Sequence, residues 1–82
     1  MHRFNYPALF KSDKNEGGYV ITFRDVPEAI TQADSFKDCF IEAADCLDEA
    51  IAGRIDDGID IPKPSKKRPY EHIISVINAY SK

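Results

Sequence analysis

Apolar and polar residues alternate from Arg3 to Phe10, which puts Phe4, Tyr6, Ala8 and Phe10 on one side of the chain. A period of two is the mark of a strand with one face against a core. Pro7 has no N–H for a ladder, so a bulge is expected there, or a position whose N–H would have met no neighbour. The charged segment from Lys11 to Gly18 ends in a Gly-Gly pair and reads as a hairpin loop. Alternation resumes from Tyr19 to Arg24, with Tyr19, Ile21 and Phe23 on one face and Val20 and Thr22 on the other. Asp25-Val-Pro-Glu is a turn, because proline presets its own backbone angle and disfavours helix in the residue before it. Ala29 to Asp34 makes a short third strand.

The period then lengthens. Phe36, Phe40, Ala43, Ala44, Leu47, Ala50 and Ile51 recur every three and four residues, which predicts one apolar stripe on a helix. Lys37, Asp38, Glu42, Asp45, Asp48 and Glu49 fall mostly on its other faces. Ser35 is placed to cap the helix, and Asp38 suits its positive end. Gly53 and Arg54 are expected to end it, since Arg54-Ile-Asp-Asp-Gly reads as too polar and glycine-broken to continue. Ile61-Pro-Lys-Pro predicts an extended connector. Tyr70 to Ala79 alternates again, with His72, Ile74 and Val76 opposite Ile73, Ser75 and Ile77.

Strand, strand, strand, helix, strand is an α+β order. A helical crossover normally lays the next strand parallel to one already in the sheet. The expectation is therefore a mixed four-stranded sheet ordered 3-2-1-4, with one helix packed on one face. Its other face still carries apolar groups, which must meet a second copy of the chain or a partner.

Composition narrows the class. Eighty-two residues with 43% hydrophobic content form one small domain whose stability oligomerisation would help. No apolar run approaches the roughly 20 residues of a membrane span, and the N-terminus lacks a signal-peptide pattern, so a soluble cytoplasmic protein is expected. Cys39 and Cys46 lie seven residues apart on one helix, about 10 Å, too far for a disulfide and wrongly spaced for zinc. They read as small core or groove residues.

Charge is segregated. Residues 1–24 carry +2, residues 25–60 carry −9 and residues 61–82 carry +4, for a net −3. Such an acidic middle repels phosphate and attracts basic surfaces, although a solvated helix face would look the same. The basic Ser65-Lys-Lys-Arg-Pro stretch is weak evidence for nucleic acid. No catalytic set emerges: the first two strands offer no converging carboxylates, Asp56-Asp-Gly-Ile-Asp lacks calcium-loop spacing, and His72 reads as structural. No catalytic residue, metal or cofactor is assigned.

Tyr6-Pro7-Ala8, Gly17-Gly18-Tyr19-Val20-Ile21-Thr22-Phe23, Asp25-Val-Pro-Glu-Ala-Ile-Thr-Gln, the helix and Ile61-Pro-Lys-Pro together resemble the HicB antitoxin family over about residues 4–65. The resemblance implies a partial ribonuclease-H-like domain, here spanning residues 1–82 as a single toxin-neutralising unit. Its partner would be HicA, a small messenger-RNA-cleaving toxin with a catalytic histidine. Ala33 replaces a glycine common before the helix in that family. Such antitoxins usually carry a C-terminal DNA-binding module, and none is visible before Lys82, which puts operator DNA binding by this chain in doubt.

The expected mechanism is steric and electrostatic cover of a basic ribonuclease. Glu42, Asp45, Glu49, Asp56 and Asp57 are the candidate toxin-binding residues, with apolar anchors still to be found. A self-associating dimer or tetramer is expected, and the alternative function is a scaffold for a repressor whose DNA-binding segment is absent here.

Overall fold

A computed structural model describes residues 2–78. The elements are β1 (His2–Ser12), β2 (Tyr19–Thr22), β3 (Ile30–Ala33), α1 (Phe36–Asp56) and β4 (His72–Asn78). The sheet order is β3-β2-β1-β4, as expected. The last residue of the expected fourth strand, Ala79, lies outside the described residues.

Strand direction differs from the expected mixed sheet. All three pairings are antiparallel, including β1 with β4. The reason is the connector. Between Asp56 and His72 the chain is extended and proline-stiffened, and at about 3.1 Å per residue it can retrace the roughly 30 Å that α1 travelled. β4 therefore starts at the end of the sheet where α1 starts and runs back along β1. The connector is held along its way. Arg54 Nη1 donates to the Asp60 carbonyl at 3.1 Å, and Tyr6 Oη donates to the Pro62 carbonyl. Ser65 N donates to Asp25 Oδ2 at 2.7 Å, and Arg24 Nη2 donates to the Lys66 carbonyl at 2.6 Å.

Pro7 causes no bulge. The β1–β4 register runs unbroken from His2↔Asn78 to Ala8↔His72, and β1 meets β2 only from Leu9 onwards. A residue without an N–H at position 7 therefore costs the sheet nothing on its β2 side.

The hairpin between β1 and β2 is tied by Asp13, whose Oδ1 accepts from the N–H groups of Asn15 and Glu16. Gly18 is needed twice over. Its φ is +73°, and a Cβ there would collide with the Ala33 carbonyl.

Tyr6, Ala8, Ile21, Ala33, Ile74 and Val76 form the sheet side of the core. The deepest line of α1 is Cys39, Ala43, Leu47 and Ile51, at a strict spacing of four. Phe36 and Phe40 keep the expected sheet-facing side of the helix, where both meet Phe10 and His72, but they belong to its first turns, at the end of the core. They remain 47% and 40% exposed. Burial raises the pKa of both cysteines, so both thiols stay protonated at neutral pH.

α1 is also longer than Gly53 would suggest. Ser35 Oγ caps it by accepting from Asp38 N at 3.1 Å. Past Gly53, Ile55 packs against the core, and Arg54 forms an ion pair with Glu28. Those tertiary contacts outweigh the weak propensity of one glycine, about 1 kcal/mol. The stop comes at Gly58, with φ +70°. The bonds Ile59 N to Arg54 O, 2.8 Å, and Gly58 N to Ile55 O, 3.2 Å, are those of a Schellman cap.

Candidate functional surface

The face of α1 turned away from the sheet is acidic. Asp38, Glu42, Asp45, Glu49 and Asp56 follow one another by four, three, four and seven residues, so they share one stripe about 27 Å long. All five are exposed. Because the helix runs through Gly53, Asp56 joins this stripe instead of lying in a loop beyond it. Asp57 is the C-cap, exposed just past the end. The structure thus places Glu42, Asp45, Glu49 and Asp56 on one face and Asp57 beside its far end. None of the ion pairs among the described residues, Arg24–Glu71 and Arg54–Glu28, takes up a carboxylate of the stripe.

A second feature lies at the N-terminal end of the same helix. Phe10, Phe36, Phe40 and His72 form a closed group of rings. The imidazole stacks on Phe10, with centroids 4.7 Å apart and planes at 20°, and both Phe36 and Phe40 meet it edge-on at 5.4 Å. Phe10–Phe40 is 5.1 Å, Phe36–Phe40 is 5.4 Å, and Tyr19 reaches Phe36 at 6.1 Å. Strand register explains the group: His72 pairs with Ala8, which makes it the diagonal neighbour of Phe10 on the helix side. Ile41, 58% exposed, follows Phe40 and lies between Asp38 and Asp45, its neighbours at i−3 and i+4. The sequence pattern had marked Phe36 and Phe40 as interior. Their i, i+4 spacing and aromatic character were the available signal for this group, but only strand register shows what supports them.

On the opposite side of the sheet, Ile30, Ile73 and Ile77 are 60%, 44% and 49% exposed. A hollow of ≈ 300 Å³ there is lined by Leu9, Ile30 and Tyr70 and bordered by Arg24 and Glu71. Those two charges are already committed to each other: Glu71 accepts from Arg24 Nε at 2.8 Å, Arg24 Nη2 at 3.0 Å and Arg68 N at 2.9 Å. The Arg24 hydrogen bond, assisted by the one from Arg68, holds the Glu71 carboxyl down at about 2 against the cost of burial. Tyr6 Oη moves the other way, raised first by burial and then by the Asp25 charge, and stays a donor to Pro62. Among the described residues, no group of three or more His, Cys, Asp or Glu side chains is assembled to hold a metal ion. No described helix is long and apolar enough to cross a membrane.

A family profile described as "HicB_like antitoxin of bacterial toxin-antitoxin system" matches residues 5–78. Antitoxin HicB of Escherichia coli (strain K12) is 38% identical over 61 residues, covering 74% of this chain and 44% of that protein. Antitoxin HicB 1 of Photorhabdus laumondii is 37% identical over 68 residues, covering 77% of this chain and 43% of that protein. A solved chain from a toxin-antitoxin complex of Streptococcus pneumoniae superposes with a TM-score of 0.71 at 25% identity, over 79% of this chain and 46% of that one. The chain spans less than half the length of these relatives.

Proposed function

Because the chain belongs to the HicB-like antitoxin family, we propose that it neutralises a HicA-type, messenger-RNA-cleaving toxin by covering that protein's active or RNA-binding surface. It acts as a binding protein in the cytoplasm, without catalysis of its own. The observation that carries this reading is the acidic stripe on the outer face of α1; Glu42, Asp45, Glu49, Asp56 and the capping Asp57 are the contact residues we propose. A protein that cuts RNA must present cations to phosphate, and a rigid row of carboxylates competes for those cations. Opposite potentials raise the association rate more than they fix the final affinity.

Charge reversal of Glu42, Asp45 and Glu49 to Lys is the direct test, assayed as inhibition of the co-encoded ribonuclease. The association rate at low salt is expected to fall at least tenfold, with RNA cleavage restored at equimolar antitoxin. Unchanged inhibition would remove α1 from the interface.

A second reading rests on the outer sheet face, where Ile30, Ile73 and Ile77 stand exposed. There the domain would be a self-associating scaffold within a longer repressor. Sedimentation equilibrium and an operator mobility-shift assay separate the two, since the neutralising reading requires neither a dimer nor a shift.

A further inference from the structure

β4 is an edge of the sheet: it pairs with β1, and among the described residues no strand lies along its other side. Which of its backbone groups are left over follows from the phase of β1. Neighbouring residues of a strand aim their N–H and C=O groups at opposite sides, so directly opposed residues exchange two hydrogen bonds or none, in alternation. Asp13 N–H donates to the Gly18 carbonyl, on the β2 side, and two-residue steps carry that direction back along β1 to Pro7, Asn5 and Arg3. Pro7, which has no N–H to give β4, fits this phase. Its partner Ile73, and likewise Ser75 and Ile77 opposite Asn5 and Arg3, therefore turn their N–H and C=O groups to the open edge.

We infer that this edge pairs with the β4 edge of a second copy, antiparallel about a two-fold axis at Ser75, joining two four-stranded sheets into one. The order of residues identifies the occupant. Read outwards from Ser75, Ile74 answers Val76 and Ile73 answers Ile77. The axis sets Ser75 opposite Ser75 of the second copy and Ile73 opposite its Ile77, and these are the residues whose backbone groups face outwards, two bonds to a pair. On the outer face, Ile73 and Ile77, 44% and 49% exposed, gain cross-strand isoleucine partners.

Nothing on β4 opposes the pairing. Edge strands that stay single are protected by charge, proline or short length. β4 has seven residues and no Lys, Arg, Asp, Glu or Pro, whereas β3, the other edge, has four and lies between Glu28 and Asp34. The Ser75 side chain is drawn back along the sheet, where its Oγ donates to Asn5 Oδ1. The axis stands perpendicular to the sheet, so both copies of α1 lie on one face with their acidic stripes turned outwards. The inference is thus independent of the neutralising reading.

The experiment uses the full chain. Sedimentation equilibrium at about 100 µM should show a dimer, and Ser75→Lys, which sets two ammonium groups across the axis at an exposed position, should weaken it at least tenfold with an unchanged circular dichroism spectrum. Cα atoms of a hydrogen-bonded pair lie about 5.5 Å apart, within disulfide range. Under mild oxidation Ser75→Cys should therefore link into dimers well above the wild-type background, and Ser12→Cys, also exposed but on β1, should not. A wild type that sediments as a monomer, or equal cross-linking of the two cysteine variants, would overturn the inference. A dimer that Ile30→Lys abolishes and Ser75→Lys spares would assign self-association to the face of the sheet and refute the edge.

Discussion

Glu71→Gln removes one charge from the clamp that holds the connector and keeps the side chain's volume. The side chain is 4% exposed and accepts three hydrogen bonds, two from Arg24 and one from the Arg68 N–H. Moving a carboxyl from 4.5 to about 2 is worth at most about 3.4 kcal/mol of pH-dependent stability. Arg24 is 29% exposed, so solvent screens part of the attraction, and about 2 kcal/mol is the working figure. In a domain of 82 residues that is a fall of roughly 8–16 °C in the thermal midpoint at pH 7. The pH dependence has a definite sign. The folded state binds this proton less readily than the unfolded state, so the contribution is complete above pH 4.5 and is lost as pH falls towards 2. Urea unfolding followed by circular dichroism from pH 7 to pH 2.5 should show wild type and variant converging at the acid end. Two parallel curves, with a gap that does not change with pH, would refute the reasoning.

Gly18 and Gly58, two of the left-handed glycines, should respond differently to alanine. Gly58→Ala meets nothing within 4 Å and should cost about 1 kcal/mol, whereas Gly18→Ala adds a collision with the Ala33 carbonyl and should cost at least twice as much by chemical denaturation. Ser35→Ala deletes the oxygen that accepts from Asp38 N at 3.1 Å and should cost about 1 kcal/mol; a midpoint within error of wild type would mean that the cap is idle.

Much of this architecture was legible because short-range chemistry dictates it. Alternation fixed which residues of β1 and β2 face the helix, and Ser35 announced the start of α1. The departures share a cause: each depends on contacts distant in sequence. Gly53 looks like a helix end until Ile55 finds the core and Arg54 finds Glu28. The direction of β4 follows from a connector tied to Tyr6, Arg24 and Asp25, none of which advertises that role in its own neighbourhood. Glu71 falls inside the stretch that alternation assigns to the fourth strand, and nothing near it in sequence marks its role until Arg24, 47 residues away, is seen to meet it. On the candidate surface, helical periodicity was enough to group Glu42, Asp45 and Glu49. The exposed aromatic group was not recoverable, since periodicity alone counts Phe36 and Phe40 as interior.

The antiparallel return of the chain bears on the acidic surface as well as on the fold. Lys63, Lys66, Lys67 and Arg68 all lie on the connector, the most cationic stretch of a chain whose middle carries −9. A loose connector with that charge would be drawn to the carboxylates of α1, only a few residues before it in sequence, and would screen them. Tethering at Tyr6, Asp25, Arg24 and Glu71 binds the arm to β1 and to the segment following β2 instead. Among the described residues, no ion pair joins it to the stripe. The clamp therefore separates the two signs of charge, and a carboxylate stripe left uncompensated by its own chain keeps its full attraction for an incoming cationic surface.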